Sequence, residues 1–384
     1  MKNIEKSTFK VDKELIRISD IVMEDVLGAK SGESMLIVTN PEEDPLSISQ
    51  SLFNSAVKYE VEPIIIVQQR RSSADSADPR VLAAISTMPD IYASVSSLRL
   101  GQDLGFKILD QEYKRPYIIE DNEREHVFRL ARVMGRGFWS PTIRIDVWKR
   151  LLSVDYQHMQ PFGGKIAGIV TNAEEVFVET EKGTHLTFGC KGMTAASSTG
   201  DYKEKGKGGN LPTGEDFITP EPGTMNGEIV FDGGFGGLSY GSGSLFLKNP
   251  IKISVKNGRV EHIDGKEEAE ILKREIALYT KRCYEMAEKG NFDPEKYAFN
   301  VKNIGEFGLG LNPRAELRED SSLLEWEKVL GSCHFAIGYD FGADASKGPP
   351  LNQTLNHFDG LIKKPSVIVD GEPLMQKGSY TVQS

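Results

Sequence analysis

The stretch MLIVTNPEEDPLSISQSLFNSAVKYEVEPIIIV, residues 35–67, decides the fold of the first part of the chain. It begins and ends with an uninterrupted apolar run of strand length, at 35–39 and at 64–67. Between these runs, apolar residues recur at helical spacing from Asp44 onward. Strands that lack alternation and are separated by a helix are typical of a parallel sheet covered on both faces. The stretch therefore predicts an α/β domain.

The same pattern continues on both sides of this stretch. A helix is predicted over 12–28, another after Asp78-Pro79, a strand over 91–95 and a helical region over 122–153. The turn after the first strand, residues 39–44, has no glycine-rich phosphate loop, and its acidic side chains would repel a pyrophosphate. The sequence therefore predicts a scaffold of mostly parallel sheet with helices on both faces, and no bound dinucleotide.

The second part of the chain has a different pattern. We predict an α/β domain over 1–158 and an α+β, metal-binding catalytic domain over 159–384. Hairpins are predicted across Lys182-Gly183 and Asn257-Gly258, because such pairs favour the tight turns between antiparallel strands. A long helix is predicted over 267–288.

Two glycine-rich tracts lie within the second part. The first, 200–209, carries several charged side chains and is predicted to be a mobile surface loop. The second, 233–244, has neither a lysine nor a following helix signal, so a phosphate cradle is not favoured. We expect it instead to pass close to a bound ligand, where glycine permits a near approach of the backbone.

Composition excludes several classes of protein. The net charge of −10 disfavours nucleic acid or an anionic membrane surface as a partner, since both require a basic patch. No apolar run approaches the length needed to span a bilayer, and the charged N-terminus has no secretory signal. The three cysteines, Cys190, Cys283 and Cys333, are widely spaced and predict reduced thiols in a cytoplasmic protein.

Potential metal ligands are concentrated between residues 209 and 360. They lie in four separate, mostly glycine-flanked segments and comprise two carboxylates, one histidine and a His-x-Asp pair. In an extended segment, the two side chains of a His-x-Asp pair project to the same face, so both can reach one ion. Such ligands suit zinc, cobalt, manganese or ferrous iron. We therefore predict that the following residues converge on one metal site: Glu215, Glu306, His334, His357 and Asp359.

The order of these segments resembles the aminopeptidase T (thermophilic leucyl aminopeptidase) superfamily, which also contains 2,5-dihydroxypyridine 5,6-dioxygenase. The resemblance covers nearly the whole chain and implies a homodimer. The segments that carry it are GNLPTGE (209–215), GEIVFD (227–232), GEFGLGLNP (305–313), Glu327-Lys328, GSCHFAIG (331–338) and HFDG (357–360).

For the aminopeptidases, the resemblance implies two divalent ions, held by two glutamates, a histidine, a tyrosine and the final His-x-Asp. These positions correspond to Glu215, Glu306, His334 and the pair His357 and Asp359, whereas the position of the tyrosine is occupied by Phe341. For the dioxygenase, the resemblance implies one ferrous ion held by two histidines and one carboxylate. This ligand set, His334, His357 and Asp359 here, leaves positions open for oxygen and substrate.

Three functions are compatible with these residues. The favoured one is a metallo-aminopeptidase that removes N-terminal residues from small peptides by metal-activated water, with Glu215 or Glu306 as the catalytic carboxylate. The first alternative is a non-haem Fe(II) dioxygenase that opens the ring of a small dihydroxypyridine-like aromatic. The second is a non-catalytic member of the superfamily that retains the ligands for structure.

Overall fold

The computed structural model describes residues 7–71, 78–85, 87–98, 102–103, 125–126, 135–239, 243–287, 293–340 and 351–382. Contacts within the chain divide it into two compact units. The first unit comprises Met1–Tyr156 and Gly200–Thr213, and the second comprises Gln157–Thr199 and Gly214–Ser384. The predicted division at residue 158 did not include residues 200–213 in the first unit.

The strands and helices follow in chain order. The strands are β1 (Ser34–Thr39), β2 (Glu62–Val67), β3 (Ile91–Val95), β4 (Gln102–Asp103), β5 (Glu125–His126), β6 (Arg136–Ser140), β7 (Glu175–Glu179), β8 (His185–Gly189), β9 (Ala196–Ser198), β10 (Gly208–Asn210), β11 (Glu215–Ile218), β12 (Asn226–Phe231), β13 (Gly234–Gly236), β14 (Ser244–Phe246), β15 (Ile251–Lys256), β16 (Arg259–Asp264), β17 (Ile304–Gly310), β18 (Cys333–Gly338), β19 (His357–Ile362), β20 (Ser366–Val369), β21 (Glu372–Gln376) and β22 (Ser379–Tyr380). The helices are α1 (Lys13–Ile21, continued by a π-helical turn over Val22–Val26), α2 (Glu43–Lys58), α3 (Pro79–Ile85), α4 (Ile145–Leu152), α5 (Tyr156–Thr171), α6 (Glu267–Ala287), α7 (Pro294–Asn300) and α8 (Leu323–Trp326). Among the described residues, no helix is long and apolar enough to cross a membrane.

The first unit is built on a parallel sheet, as the unalternated apolar runs predicted. Its five strands have the order β10-β6-β3-β1-β2, and every neighbouring pair is parallel. Two predictions for this part of the chain were wrong. Residues 136–140 form an interior strand rather than helix, and an edge strand over 208–210 begins within the tract expected to be a loop. The predicted helical residues 127–134 lie outside the described residues.

The second unit is β-rich and antiparallel. It contains a seven-stranded sheet, in the order β14-β13-β19-β18-β17-β11-β9, and an eight-stranded sheet, in the order β16-β15-β12-β8-β7-β20-β21-β22. Both predicted hairpins are confirmed, since β7 pairs with β8 and β15 pairs with β16 in antiparallel register. The predicted long helix is confirmed as α6.

An aromatic cluster joins the two sheets of the second unit. Phe188 of β8 contacts Phe307 of β17 and Phe335 of β18, with ring centroids 5.1 and 5.9 Å apart. All three side chains are buried. Aromatic side chains of this size bury about 150–250 Å² each, and edge-to-face pairs add about 0.5–1.5 kcal/mol. The seven-stranded sheet is therefore anchored through one face, and the ligand residues lie on its other face.

Candidate metal centre

Four neighbouring strands of the seven-stranded sheet carry the predicted ligands. Glu215 lies on β11, Glu306 on β17, His334 on β18, and His357 and Asp359 on β19. Side chains in one cross-strand row share a face, as do residues two positions apart along a strand.

The pairing register places all of these ligands on one face. Ala336 of β18 pairs with Glu306 on one side and with Asp359 on the other, so these two carboxylates share a face with His334. Gly308 pairs with His334, and Glu215 pairs with Gly310 further along β17. The four segments therefore converge through ordinary strand pairing.

Three of the side chains form a compact group. Ligand atoms of Glu306, His334 and Asp359 all lie within 4.8 Å of one another, and all three residues are buried. Nε2 of His334 lies 3.1 Å from Oε1 of Glu306. Two carboxylates and an imidazole at this separation can share a single cation.

His357 has one ring nitrogen fixed by the backbone. Its Nδ1 donates a hydrogen bond to the carbonyl oxygen of Tyr339 over 2.6 Å. Its Nε2 lies 3.2 Å from Oδ1 of Asp359. A histidine that ligates a metal through one nitrogen commonly donates its other N–H to a carbonyl, which fixes the tautomer. His357 is therefore oriented to bind through Nε2, beside Asp359.

Glu215 joins this group from the neighbouring side. Its Oε2 lies 3.8 Å from Nε2 of His334. Its Oε1 accepts a hydrogen bond of 2.6 Å from the ammonium of Lys328, which also lies 2.6 Å from Oε2 of Glu327. The sequence matched Glu327-Lys328 to the superfamily pattern but suggested no role for Lys328. Only its complete burial beside two carboxylates identifies it as part of the site.

The carboxylates raise the proton affinity of both imidazoles. Burial by itself lowers the pKa of His334, but the hydrogen bond to Glu306 and the charges of Glu215 and Asp359 raise it to about 9. Burial also lowers the pKa of His357, and the adjacent Asp359 raises it to about 10. Burial raises the pKa of Glu327 to about 7, against the opposing charge of Lys328. The pocket therefore favours positive charge, supplied either by protons or by a metal cation.

The residues present fit a divalent metal ion. Among the residues that the structure describes, Oε2 of Glu215 has no hydrogen-bond partner although it is buried. Buried polar atoms usually have a partner, and such exceptions mark an ion or water position. The imidazole and carboxylate donors suit zinc, manganese, cobalt or ferrous iron. Hence the donor set is compatible with each of the metals that were predicted from the sequence.

Glycines permit the close packing around these ligands. A Cβ atom on Gly308 would lie 2.0 Å from Cε1 of His334, so a larger residue there would displace the imidazole. A Cβ atom on Gly237 would lie 1.8 Å from the carbonyl oxygen of His357. Gly237, in the glycine-rich tract, thus passes against the backbone of a candidate metal-ligating residue, and the close approach of the tract to a bound ligand remains a prediction.

The position of the family tyrosine, Phe341, lies outside the described residues. Its neighbours Tyr339 and Asp340 are described. Tyr339 contributes its carbonyl to His357, while Oδ2 of Asp340 accepts hydrogen bonds from the backbone N–H groups of Leu351 and Asn352. This carboxylate oxygen of Asp340 is thus already used within the fold.

A comparison with protein families identifies the second unit. The sequence profile of the family described as 2,5-dihydroxypyridine 5,6-dioxygenase matches residues 160–382, which include all five candidate ligands. The chain belongs to this family. The superfamily inferred from the ligand segments is thereby confirmed, and the chain is a member of a family of enzymes. Among curated proteins, none has a sequence that matches this chain.

Solved structures of two enzymes share the fold. The 2,5-dihydroxypyridine dioxygenase from Pseudomonas putida KT2440 aligns with a TM-score of 0.69 at 17% identity, over 96% of this chain and 97% of the other. Wild-type AmpT from Thermus thermophilus aligns with a TM-score of 0.61 at 14% identity, over 96% of this chain and 99% of the other. At these identities the likeness concerns the fold, which the dioxygenase and the peptidase have in common.

Proposed function

We propose that the protein is a ring-cleaving dioxygenase that acts on a dihydroxypyridine-like aromatic with one ferrous ion. The observation that carries the proposal is the match of residues 160–382 to the dioxygenase family, which spans the whole candidate site. This proposal reverses the order of preference drawn from the sequence, where an aminopeptidase was favoured. The His334, His357 and Asp359 set would hold the metal.

The geometry of the three proposed ligands supports this assignment. They lie on adjacent strands and share a face, and the hydrogen bond from His357 to the Tyr339 carbonyl leaves Nε2 facing Asp359. A ferrous ion held by two histidines and one carboxylate supplies open positions for oxygen and substrate. The sheet fixes the three donors before any ligand arrives, which lowers the cost of organising the site.

The remaining carboxylates handle protons in this proposal. A dihydroxylated ring must lose hydroxyl protons as it binds, and Oε2 of Glu215 is buried and without a hydrogen-bond partner among the described residues. It can therefore accept a proton from a substrate placed beside His334. Glu306 flanks the metal position, since its Oε1 lies 3.1 Å from Nε2 of His334. In this proposal Glu215 is the catalytic base and Glu306 is a second carboxylate that can accept a proton.

Oxygen consumption tests the proposal directly. Metal-free protein is loaded with Fe²⁺ under anaerobic conditions, and 2,5-dihydroxypyridine is then added in an oxygen electrode. We expect stoichiometric oxygen uptake with loss of the aromatic absorbance. The same protein loaded with Zn²⁺, Co²⁺ or Mn²⁺ is assayed in parallel for release of leucine from a chromogenic amide. Amide hydrolysis without oxygen uptake would replace the dioxygenase by the aminopeptidase.

A matched pair of histidine variants controls for folding. His357→Ala removes a proposed ligand, whereas His262→Ala removes an exposed imidazole on β16 of the other sheet. We expect the first to abolish oxygen uptake and the second to leave it unchanged. Full activity in His357→Ala would contradict the proposed ligand set.

A further inference from the structure

The strand β2 lies at an edge of the parallel sheet in the first unit, yet its sequence is that of an interior strand. Its sequence is EPIIIV, with four apolar residues in succession. In β1 and β3, the interior neighbours in this sheet, such runs are buried at almost every position. In β2, by contrast, Ile64 is 64% exposed and Val67 is 49% exposed. A single chain therefore leaves an apolar strand in contact with water at the edge of the sheet.

The backbone of β2 has hydrogen-bonding groups that face away from β1. The N–H groups of Glu62 and Gln68 donate to carbonyl oxygens at the two ends of β1. Alternate residues of a strand direct these groups to opposite sides, so Ile65 and Val67 direct theirs outward. Pro63 belongs to the same outward set, where its missing N–H costs no bond to β1. Among the described strands, none pairs with this side of β2.

The charges at the two ends of β2 are complementary. Glu60 and Glu62 lie at its start, Arg70 lies just beyond its end, and all three residues are exposed. In an antiparallel pair of two copies, the acidic end of one strand meets the basic end of the other. In a parallel pair, like charges would lie opposite each other, which is destabilising. The charges therefore favour an antiparallel pair of two β2 strands, related by a two-fold axis.

The apolar residues select one register for such a pair. In an antiparallel pair, residues that direct their backbone groups outward lie opposite one another. When the axis passes through Ile65, this residue lies opposite its own copy, Ile64 lies opposite Ile66, and Pro63 lies opposite Val67. Every residue of 63–67 then meets an apolar partner. Moving the axis by one residue in either direction places an isoleucine opposite Glu62 or Gln68.

We propose that β2 binds the β2 strand of a second copy of this chain, antiparallel and centred on Ile65. The two five-stranded sheets then form one continuous sheet. The pair is closed, because the strand that forms it is used up in both chains. The resemblance implied a homodimer but assigned it no surface, and β2 lies outside the segments that carry the resemblance and outside the matched residues 160–382. The inference is therefore independent of the proposed reaction and of the metal centre.

An introduced disulfide tests the register. The three native cysteines, Cys190, Cys283 and Cys333, are buried, so a thiol placed on β2 is the accessible one. In Ile65→Cys the two new side chains of a pair lie directly opposite each other, at a separation that a disulfide spans. We expect this full-length variant to form a covalent dimer on mild oxidation, as seen by non-reducing electrophoresis.

Val67→Cys is the matched control, since it places a thiol on the same strand at an exposed position. Its two thiols in a pair are separated by four residues along the strand, or about 13 Å, and should not be joined. Equal cross-linking of Val67→Cys and Ile65→Cys would overturn the inference. So would the absence of a covalent dimer in Ile65→Cys.

A charge swap tests the direction of the pair. In the Ile65→Cys chain, Glu60→Arg brings two positive charges together and Arg70→Glu brings two negative charges together. We expect each substitution to lower the yield of covalent dimer by at least about tenfold at low salt, because like charges at an interface disfavour association. The double substitution exchanges the charges and should restore the yield. A double variant that remains as low as the single ones would reject the antiparallel pair.

Hydrogen exchange tests the pair without a new cysteine. The outward N–H groups of Ile65 and Val67 should exchange slowly in the wild type, and at least about tenfold faster in Ile64→Lys, where a charge replaces an exposed apolar contact. The amides of Glu62 and Gln68, which donate toward β1, report whether the variant keeps its own sheet and should not change. Equal exchange of the outward amides in the two proteins would overturn the inference.

Discussion

The two faces of the strands β11, β17, β18 and β19 are both buried, but they carry different kinds of side chain. One face carries Glu306, His334 and Asp359, and the other carries Phe307 and Phe335. Residues of both kinds are nearly inaccessible to solvent. Burial by itself therefore does not distinguish the functional face from the core. What distinguishes the functional face is that imidazole and carboxylate groups from neighbouring strands lie together there, within 4.8 Å for Glu306, His334 and Asp359.

The two faces also contribute to stability with opposite sign. The aromatic face buries apolar surface, which stabilises the fold by about 25 cal/mol per Å². The ligand face buries charged groups, which costs free energy unless each is paired. The aromatic face therefore holds the ligand face in position, and a bound metal would offset part of the free energy that burial of the charged groups costs. Substitutions on the two faces should consequently affect different measurements.

The largest effect is expected on the ligand face. His334→Ala removes a donor from the group of three side chains that the sheet holds within 4.8 Å, and His357→Ala removes the imidazole beside Asp359, so we expect metal binding to be lost. Elemental analysis of protein purified with Fe²⁺ or Zn²⁺ measures this. The same measurement on His262→Ala, an exposed site, should give the wild-type value. Full metal content in both ligand variants would show that the site has been misplaced.

A substitution on the aromatic face should affect stability instead. Phe335→Ala creates a cavity where the ring contacts Phe188 and Phe307, and we expect a loss of about 3–5 kcal/mol in the free energy of unfolding. Chemical denaturation followed by fluorescence measures the loss. Tyr284→Ala, at a side chain that is 50% exposed, is the matched control and should change stability by less than about 0.5 kcal/mol. Metal content per folded chain should be the same in both variants. A loss of metal only in Phe335→Ala would contradict the prediction that the two faces affect different measurements.

The smallest effect is expected for Asp216, a carboxyl on the aromatic face that should change the pH dependence of stability. Asp216 follows Glu215 on β11 and so points to the opposite face, where burial raises its pKa well above the usual range. The folded state then holds this proton more tightly than the unfolded state. The stability it contributes is present at pH values below about 4 and is lost as pH rises toward the folded pKa, by up to about 1.4 kcal/mol per pH unit in that window.

Asp216→Asn removes this titration. We expect the variant to be more stable than the wild type at pH 8 and the difference to shrink toward pH 4, as measured by thermal unfolding across that range. Glu175→Gln, at an exposed position on β7, should leave the pH dependence unchanged. A difference between Asp216→Asn and the wild type that is constant with pH would contradict the raised pKa.

The sequence by itself determined the elements that depend on local pattern and the chemistry of the ligands. The unalternated runs at 35–39 and 64–67 require burial on both faces, and a parallel sheet follows from that. Asn257-Gly258 specified its hairpin because few other pairs adopt the backbone angles of the turn. The ordered segments that contain Glu215, Glu306, His334, His357 and Asp359 were likewise sufficient to identify the superfamily.

Only the tertiary structure decided how these parts meet. The strand 208–210 contains two glycines and forms through pairing with β6, a partner that no local pattern reveals. Ligands more than a hundred residues apart become neighbours through strand register, which depends on long-range pairing rather than on propensity. The sequence matched Lys328 to a superfamily segment but did not predict its burial. Its place in the site is visible only because the fold buries it between Glu215 and Glu327, where the loss of solvent strengthens the interaction between these charges.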